Sequence, residues 1–304
     1  MTKHFIDFDN LSFEVLQNII DRAIALKKEH NEGVINNSFK NKTLAMIFDK
    51  SSTRTRVSFE AGMTQLGGHA LFLSNLDIQI GRGEPITDSA IVISSMVDAV
   101  MLRISSHKDI IEFSKHSNKP VINALSDLSH PCQILADLMT FQEQRGSING
   151  KKVAWIGDGN NVCQTYMQAA EIFGFDLTIA TPNSYEPNHS FVERYQNNIN
   201  YCSSPMDACE VADLVVTDVW TSMGKESEQK QRESAFKSYQ VDQTMMSVAN
   251  SDALFMHCLL AHRGEEVSAD VIDGKQSAVW DEAENRLHIQ KAILTWAIAD
   301  KITL

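Results

Sequence analysis

Short, wholly apolar runs alternate with helical patterns along almost the whole chain, and this alternation restricts the fold more than any other feature. The runs predicted as strands are 43–48, 70–73, 99–104, 121–124, 153–156, 177–180, 214–217 and 253–256. The predicted helices are 12–29, 54–66, 86–97, 109–117, 131–144, 162–173 and about 281–302. Apolar strands that are each followed by a helix are typical of parallel sheet covered on both faces. We therefore predict an α/β protein with mainly parallel sheets flanked by helices.

A polar stretch divides this pattern into two parts. Residues 143–150 read EQRGSING and directly precede a new predicted strand, and polar segments that contain glycine usually form loops. The chain has 304 residues, of which 43% are hydrophobic, so it is long enough for two cores. We expect two domains, residues 1–147 and 148–283.

Composition excludes several classes of function. The formal net charge is −12 and no Lys/Arg tract is present, which disfavours binding to nucleic acid or to an anionic membrane surface. No apolar run approaches the ~20 residues of a membrane span, and residues 1–10 lack a signal-peptide core. The five cysteines include no CxxC pair, so we expect no disulfide framework and a reducing cytoplasm.

The segment SSTRTR, residues 51–56, lies where the first predicted strand gives way to a helix. The first turn of a helix has unpaired N–H groups and attracts anions. Serine and threonine hydroxyls add donors, and an arginine guanidinium fits phosphate oxygens. A capped, solvated helix start is the ordinary explanation of a Ser/Thr cluster. Two arginines among four hydroxyl residues favour a phosphate site instead, although not a P-loop, whose glycines and lysine are absent.

Three more polar groups follow predicted strands, where ligands bind in open α/β sheets. His130 and Gln133 flank a helix start at Pro131 and could donate to a carbonyl oxygen, although a lone histidine is more often structural. Asp218 ends a strand and suits a substrate ammonium, or simply caps the next turn. Cys258 follows another strand, where a buried structural thiol is the usual explanation.

Taken in order, these motifs resemble the aspartate/ornithine carbamoyltransferase family. The motifs are Ser-x-Arg-Thr-Arg at 52–56, His-Pro-x-Gln at 130–133 and His-Cys-Leu at 257–259. Segments 77–90, 155–161 and 280–288 are also similar to the family, so the resemblance covers essentially the whole chain. The segment 218–224, DVWTSMG, points to ornithine as acceptor, because an aspartate acceptor would need basic residues there.

The resemblance implies transfer of a carbamoyl group from carbamoyl phosphate to the side-chain amine of L-ornithine, giving citrulline and phosphate. Residues 1–147 would bind carbamoyl phosphate, with the last helix, about 284–304, packed back on them. Residues 148–283 would bind ornithine. The implied carbamoyl-phosphate ligands are Ser52, Thr53, Arg54, Thr55, Gln79, Arg103, His130, Gln133, Cys258, Leu259 and Arg286.

In the same way, the resemblance implies ornithine ligands at Asn161, Asp218, Ser222 and Met223. The implied catalytic residues are Arg54, Arg103, His130, Gln133, Cys258 and Asp218, with no cofactor and no metal. A neighbouring subunit would contribute Gln79, which implies a homotrimer with shared active sites. Ornithine's amine has a pKa of about 10.4 in solution, so the site must favour its neutral form. Cys258 with Asp218 nearby are the candidates for that task.

Other functions remain to be weighed against this one. The segment GDGNN, 157–161, resembles a dinucleotide-binding turn, but Val162 stands where its third glycine should fall. A carbamoyl-phosphate-binding protein without turnover is a second alternative. N-acetylornithine, putrescine and aspartate are alternative acceptors. The short chain and the absence of extensions favour arginine synthesis over citrulline breakdown.

One departure from the family pattern produces a further expectation. The family has His-Cys-Leu-Pro with a cis Leu–Pro peptide, whereas this chain has Leu260 after Leu259. Every other signature is intact, so we predict that the Leu259–Leu260 peptide is nevertheless cis.

Overall fold

The computed structural model describes residues 2–74, 83–221 and 226–298. The chain forms two compact units. The first comprises the chain up to Met139 together with the segment that begins at Glu284, and the second comprises Thr140–Ala283. Within the described ranges, no helix is long and apolar enough to cross a membrane.

The first unit contains a four-stranded parallel sheet in the order β2-β1-β3-β4. Its strands are β1 (Thr43–Phe48), β2 (His69–Ser74), β3 (Ala99–Arg103) and β4 (Val121–Leu125). Its helices are α1 (Phe13–Asn31), α2 (Thr53–Gln65), α3 (Ile86–Met96), α4 (His107–His116) and α5 (Pro131–Arg145), the last of which continues into the second unit. All five residues of β3 are buried, as expected for a central strand covered on both faces.

The second unit contains a five-stranded parallel sheet in the order β7-β6-β5-β8-β9. Its strands are β5 (Lys152–Ile156), β6 (Asp176–Ala180), β7 (Ile199–Cys202), β8 (Leu214–Thr217) and β9 (Leu254–His257). Its helices are α6 (Asn161–Phe173), α7 (His189–Arg194), α8 (Pro205–Cys209), α9 (Gln229–Phe236), α10 (Gln243–Val248), α11 (Ala269–Ile272) and the start of α12 (Val279–Ile298), which continues into the first unit.

The predicted class, two mainly parallel sheets flanked by helices, is confirmed. Strand β7 was not predicted, because this edge strand has no fully buried residue and therefore no apolar run. The two compact units divide after Met139, inside α5, which ends at Arg145.

Helix α12 contains a buried imidazole without hydrogen bonds. The side chain of His288 is 1% exposed, and neither ring nitrogen has a hydrogen-bond partner in the described part of the chain. The nearest carboxylate, Glu284, is 3.8 Å from Nε2. Burial and the positive charges of Lys291 and Lys27 lower the pKa of His288 to about 3. The folded protein therefore keeps this ring neutral in mildly acidic solution.

This burial makes stability depend on pH in a defined direction. Between pH ~6.5 and ~3 the unfolded chain protonates His288 and the folded chain does not, so the free energy of unfolding falls as the pH is lowered. The limiting slope for one proton is about 1.4 kcal/mol per pH unit. We expect His288→Leu to remove most of that slope between pH 6 and 4 in urea unfolding followed by circular dichroism. The exposed His69 provides the control, His69→Leu. An unchanged slope in His288→Leu would contradict the assignment.

Candidate active site

The start of α2 brings one of the two arginines of SSTRTR into a polar cluster and directs the other away. Ser52 is the N-cap, and its hydroxyl accepts a hydrogen bond from the Thr55 N–H. Arg54 is half-buried and close enough to His130 to affect its pKa. Arg56 is exposed, pairs with Glu60 at 2.9 Å and stacks on a phenylalanine ring. Residues two apart on a helix do not share a face, so only Arg54 belongs to the site.

The Thr55 hydroxyl joins two buried arginines from distant parts of the chain. Thr55 is fully buried, and its Oγ1 accepts hydrogen bonds from Arg103 Nη1 and Arg286 Nη2, each at 3.2 Å. The Ser52 hydroxyl donates to the same oxygen at 3.2 Å. Arg103 ends β3 and is 6% exposed, while Arg286 lies on α12 and is 3% exposed. This arrangement concentrates positive charge beside a helix N-terminus, as an anion site requires.

His130 is a neutral imidazole in this cluster. It immediately precedes Pro131, the first residue of α5, as predicted, and is 4% exposed. Burial, and then the charges of Arg286, Arg103 and Arg54, hold its pKa well below the usual value. A neutral ring can donate one hydrogen bond without adding a positive charge. The site can therefore polarise a carbonyl oxygen with His130 over the whole neutral pH range.

The orientation of Gln133 differs from the one we expected. Its Nε2 donates to Asp137 Oδ1 at 2.8 Å, and its Oε1 accepts from Arg286 Nη1 at 2.6 Å. The amide oxygen therefore points towards the arginine cluster. An oxygen there can accept from an NH2 group, whereas our sequence interpretation had Gln133 donating to a carbonyl.

In the second unit, Asp218 lies directly after β8 and accepts three hydrogen bonds from described residues. Cys258 Sγ donates to its Oδ1 at 3.1 Å, the Val219 N–H donates to the same oxygen at 2.8 Å, and Asn160 Nδ2 donates to its Oδ2 at 2.7 Å. Asp218 is 7% exposed. The predicted proximity of Cys258 and Asp218 is thus present, and the pair forms a thiol–carboxylate contact that can receive a cation or a proton.

Asn160 is a site residue that the sequence interpretation missed. It caps α6, since its Oδ1 accepts from Val162 N–H at 2.9 Å and Cys163 N–H at 3.2 Å, while its amide orients Asp218. The predicted ligand, Asn161, is the first residue of α6 beside it. An asparagine just before a helix is a typical N-cap, which was the available signal.

Other segments of the chain contact the GDGNN turn, residues 157–161. A side chain at Gly159 would collide with the backbone of Pro187. Asp158 is 5% exposed and accepts from Arg232 Nη1 at 2.7 Å. The second glycine therefore permits a close approach of two chain segments, a structural use that differs from pyrophosphate binding.

The loop after β9 has the predicted backbone geometry. The Leu259–Leu260 peptide is cis. Leu259 has a φ of +58°, in the left-handed region. Its N–H donates to His257 Nδ1 at 2.9 Å, and its side chain packs partly against the core of the second unit.

Two groups among the described residues have ligand atoms close enough to bind a metal ion, namely Asp218 with His257 and Cys258, and His262 with Glu265 and Glu266. Both ring nitrogens of His257 already make hydrogen bonds, to the Leu259 N–H and to Glu266. Glu266 Oε1 accepts a second hydrogen bond, from the His262 N–H. His257 would therefore have to give up one of these bonds to coordinate an ion, whereas Glu266 Oε2 has no hydrogen-bond partner among the described residues.

The described residues thus place the predicted site residues in two groups. In the first unit Ser52, Arg54, Thr55, Arg103, His130, Gln133 and Arg286 come together, and Thr53 is the exposed first residue of α2. In the second unit Asp218 and Cys258 come together beside Asn160, with Leu259 next to Cys258. Gln79, Ser222 and Met223 lie outside the described residues.

Comparison with known proteins assigns both units to known families. Residues 3–143 match the family model described as "Aspartate/ornithine carbamoyltransferase, carbamoyl-P binding domain", and residues 149–297 match its "Asp/Orn binding domain". An ornithine carbamoyltransferase of Ruthia magnifica subsp. Calyptogena magnifica is 64% identical, covering 98% of this chain and all of the relative.

Solved structures give the same result. The ornithine carbamoyltransferase of Pyrococcus furiosus has a TM-score of 0.95 and 45% identity, covering 99% of this chain and 98% of its own. The anabolic ornithine carbamoyltransferase of Campylobacter jejuni has a TM-score of 0.91 and 43% identity, covering 97% of this chain and 98% of its own.

Proposed function

Because this chain belongs to the aspartate/ornithine carbamoyltransferase family, we propose that it transfers the carbamoyl group of carbamoyl phosphate to the side-chain amine of L-ornithine. The amine nitrogen attacks the carbonyl carbon, the C–O bond to phosphate breaks, and the amine loses a proton. The products are L-citrulline and inorganic phosphate. The enzyme is an ornithine carbamoyltransferase in activity, as are its relatives at 50–64% identity.

The first unit binds carbamoyl phosphate. The phosphate group lies at the N-terminus of α2, where Ser52, Thr53, Arg54 and Thr55 supply N–H, hydroxyl and guanidinium donors. Arg103 extends from the phosphate to the carbonyl oxygen. The concentration of three arginines around one neutral histidine supports this role, since their charge stabilises both the leaving phosphate and the ground-state dianion.

Neutral His130 and Arg286 donate to the carbonyl oxygen, where negative charge develops as the amine attacks. Preorganised donors of this kind contribute about 3–4 kcal/mol each in the better measured cases. The Gln133 oxygen accepts from the carbamoyl NH2, and the Leu259 carbonyl is a second acceptor for that group. The fixed Gln133 orientation, set by Asp137 and Arg286, supports this assignment.

The second unit binds ornithine. The observation that supports this most is the negative charge of Asp218, which follows β8. Asp218 is a buried carboxylate, and its hydrogen-bond donors among the described residues are a thiol, an amide and an N–H, none of which is a cation. It therefore suits the α-ammonium group of ornithine, with Asn161, Ser222 and Met223 completing the contacts. Cys258 lies against Asp218 and assists the loss of the proton from the attacking amine.

A panel of amines tests the acceptor. L-Ornithine should give carbamoylated product at a kcat/KM at least about 10²-fold above that for N-acetylornithine, putrescine or aspartate. With N-acetylornithine, or with aspartate, whose single amine must attack, the buried Asp218 carboxylate is left without an ammonium partner, which is costly. Putrescine keeps a second ammonium but lacks the carboxylate of ornithine, so the groups that bind that carboxylate stay unpaired. Phosphate release without citrulline would exclude the transfer. Binding of carbamoyl phosphate without turnover would favour the non-catalytic alternative.

The protein functions as a homotrimer with shared active sites. Helix α3 supports assembly, because its buried residues include Ser89 and Ser94, whereas Ile91 is 54% exposed, Val92 49% and Met96 75%. Val57 on α2 is 58% exposed. Exposed apolar side chains on the outer face of a helix suit a contact with another copy of the chain. Gln79 precedes α3 in sequence and is the residue supplied to the neighbour's site.

Subunit mixing tests the sharing of sites. Arg54→Gly and Gln79→Ala homotrimers should each be inactive, because every site lacks one of the two residues. After random exchange in equal amounts, about one quarter of the sites in a cyclic trimer would contain both intact residues. We expect activity to rise towards that fraction. Mixing each variant with itself is the control, and no recovery after verified exchange would contradict shared sites.

The enzyme works in the cytoplasm. None of its five cysteines forms a disulfide, and a site that contains the Cys258 thiol is compatible with a reducing compartment.

A further inference from the structure

The fully buried carboxylate of Glu266 is hydrogen-bonded to His257, the residue that precedes the loop after β9 in the second unit. Glu266 and His257 are both 0% exposed. Glu266 Oε1 accepts hydrogen bonds from the His262 N–H at 2.6 Å and from His257 Nε2 at 3.1 Å. The proposed reaction gives Glu266 no direct contact with either substrate. Carboxylates are seldom fully buried unless they are paired or have a specific task.

The hydrogen bonds of His257 determine its protonation. The Leu259 N–H can only donate, and it donates to His257 Nδ1 at 2.9 Å, so Nδ1 carries no proton. Nε2 therefore carries the proton and donates it to Glu266. The result is a directional chain from the Leu259 N–H through the imidazole to the carboxylate.

This chain of hydrogen bonds starts at Leu259, a residue whose backbone conformation has to be held by its surroundings. Leu259 has a φ of +58°, a conformation that a leucine adopts rarely and that persists only when its surroundings hold it. Its neighbour Cys258 donates to Asp218 at 3.1 Å. The backbone of His257 is held separately, since its N–H donates to Glu282 Oε2 at 2.9 Å. Glu266 is thus the group that fixes the ring of His257 and, through the ring, the conformation of the loop.

We propose that Glu266 is a positioning residue for carbamoyl transfer. Acting through His257, it selects the tautomer that accepts the Leu259 N–H, and so holds the Cys258 thiol against Asp218 and fixes the direction of the Leu259 carbonyl. Without Glu266 the imidazole can carry its proton on Nδ1 instead of Nε2, and that tautomer cannot accept the hydrogen bond from the Leu259 N–H. The role rests on the proposed function, because its effect is measured in citrulline formation.

The test compares Glu266→Ala with a neighbouring control. Glu265 lies on the same loop with a side chain that is 42% exposed, and Glu265→Ala should behave as wild type. Glu266→Ala should lower kcat with ornithine by about 10²-fold, the size of effect seen when a group that orients a functional imidazole is lost. The affinity of the first unit for inorganic phosphate, measured by calorimetry, should stay within about twofold. Glu266→Leu, which fills the buried volume without an acceptor, is measured in parallel, so that a folding failure of the alanine variant does not remove the test.

Two further variants separate positioning from a merely structural role. Glu266→Gln keeps an acceptor oxygen and should recover most of the kcat lost in Glu266→Ala. The double variant Glu266→Ala/His257→Ala should have no lower kcat than His257→Ala alone, because both substitutions break the same chain. Additive losses, or a Glu266→Ala enzyme with the kcat of Glu265→Ala, would overturn the proposal. An inactive wild-type chain would instead refute the proposed function, so the two failures are distinguishable.

Discussion

Replacing Arg54 with glycine is expected to lower the turnover number by about 10³-fold or more and to leave the fold intact. Arg54 lies in the first turn of α2, half-buried, and its charge acts on His130 together with those of Arg103 and Arg286. An arginine that stabilises a transferring phosphoryl group is worth 10³- to 10⁵-fold in other phosphate-transfer enzymes, roughly the same task as stabilising a departing phosphate. Steady-state citrulline formation measures the effect.

The same helix offers a matched control two residues further on. Arg56→Gly introduces the same glycine into the same turn, at a similar cost of about 1 kcal/mol in helix stability. It removes a surface ion pair with Glu60 and a ring contact with Phe72, and should leave turnover within about twofold. The difference between the two variants isolates the Arg54 guanidinium. An Arg54→Gly enzyme that kept a tenth of wild-type turnover would refute the phosphate site.

The strands could be predicted from the sequence wherever both faces of the sheet are buried. Strand β1 was found with its true bounds because five of its six residues are buried, which leaves an unbroken apolar run. Strand β7 lies at the sheet edge with exposed and half-exposed side chains, and nothing in the sequence marks it as a strand. The short helices α8, α10 and α11 have four to six residues. A segment of that length is too short to show helical periodicity.

The site was predictable in its residue types and less so in its hydrogen bonds. Sequence motifs identified Thr55, but its contact with Arg286 joins residues 231 positions apart, which only the folded chain brings together. The orientation of Gln133 is set by its hydrogen bond to Asp137, one helical turn away. Asp137 is not part of any motif found in the sequence. No motif identified Glu266, because complete burial is a tertiary property.

Substituting Asp218 by asparagine is expected to reduce kcat/KM for ornithine by about 10²- to 10³-fold. The substitution removes the charge that pairs with ornithine's ammonium group, and breaking a buried charge pair costs about 2–5 kcal/mol. It also introduces an amide NH2 among three donors, from Cys258, Val219 and Asn160, so at least one buried donor loses its acceptor. Inorganic phosphate should bind with unchanged affinity, because its ligands lie in the first unit.

Strand β8 provides the control, since an aspartate flanks each of its ends. Asp213 precedes the strand, and its Oδ2 accepts from the Lys152 N–H at 2.9 Å and its Oδ1 from Asn250 at 3.0 Å. Asp213→Asn therefore alters hydrogen bonds of the same strand at the opposite end of the sheet. It should lower thermal stability without changing the KM for ornithine. If both variants changed kcat/KM equally, Asp218 would act through the integrity of β8. If Asp218→Asn alone lost activity while phosphate affinity held, the carboxylate itself would be the ornithine ligand.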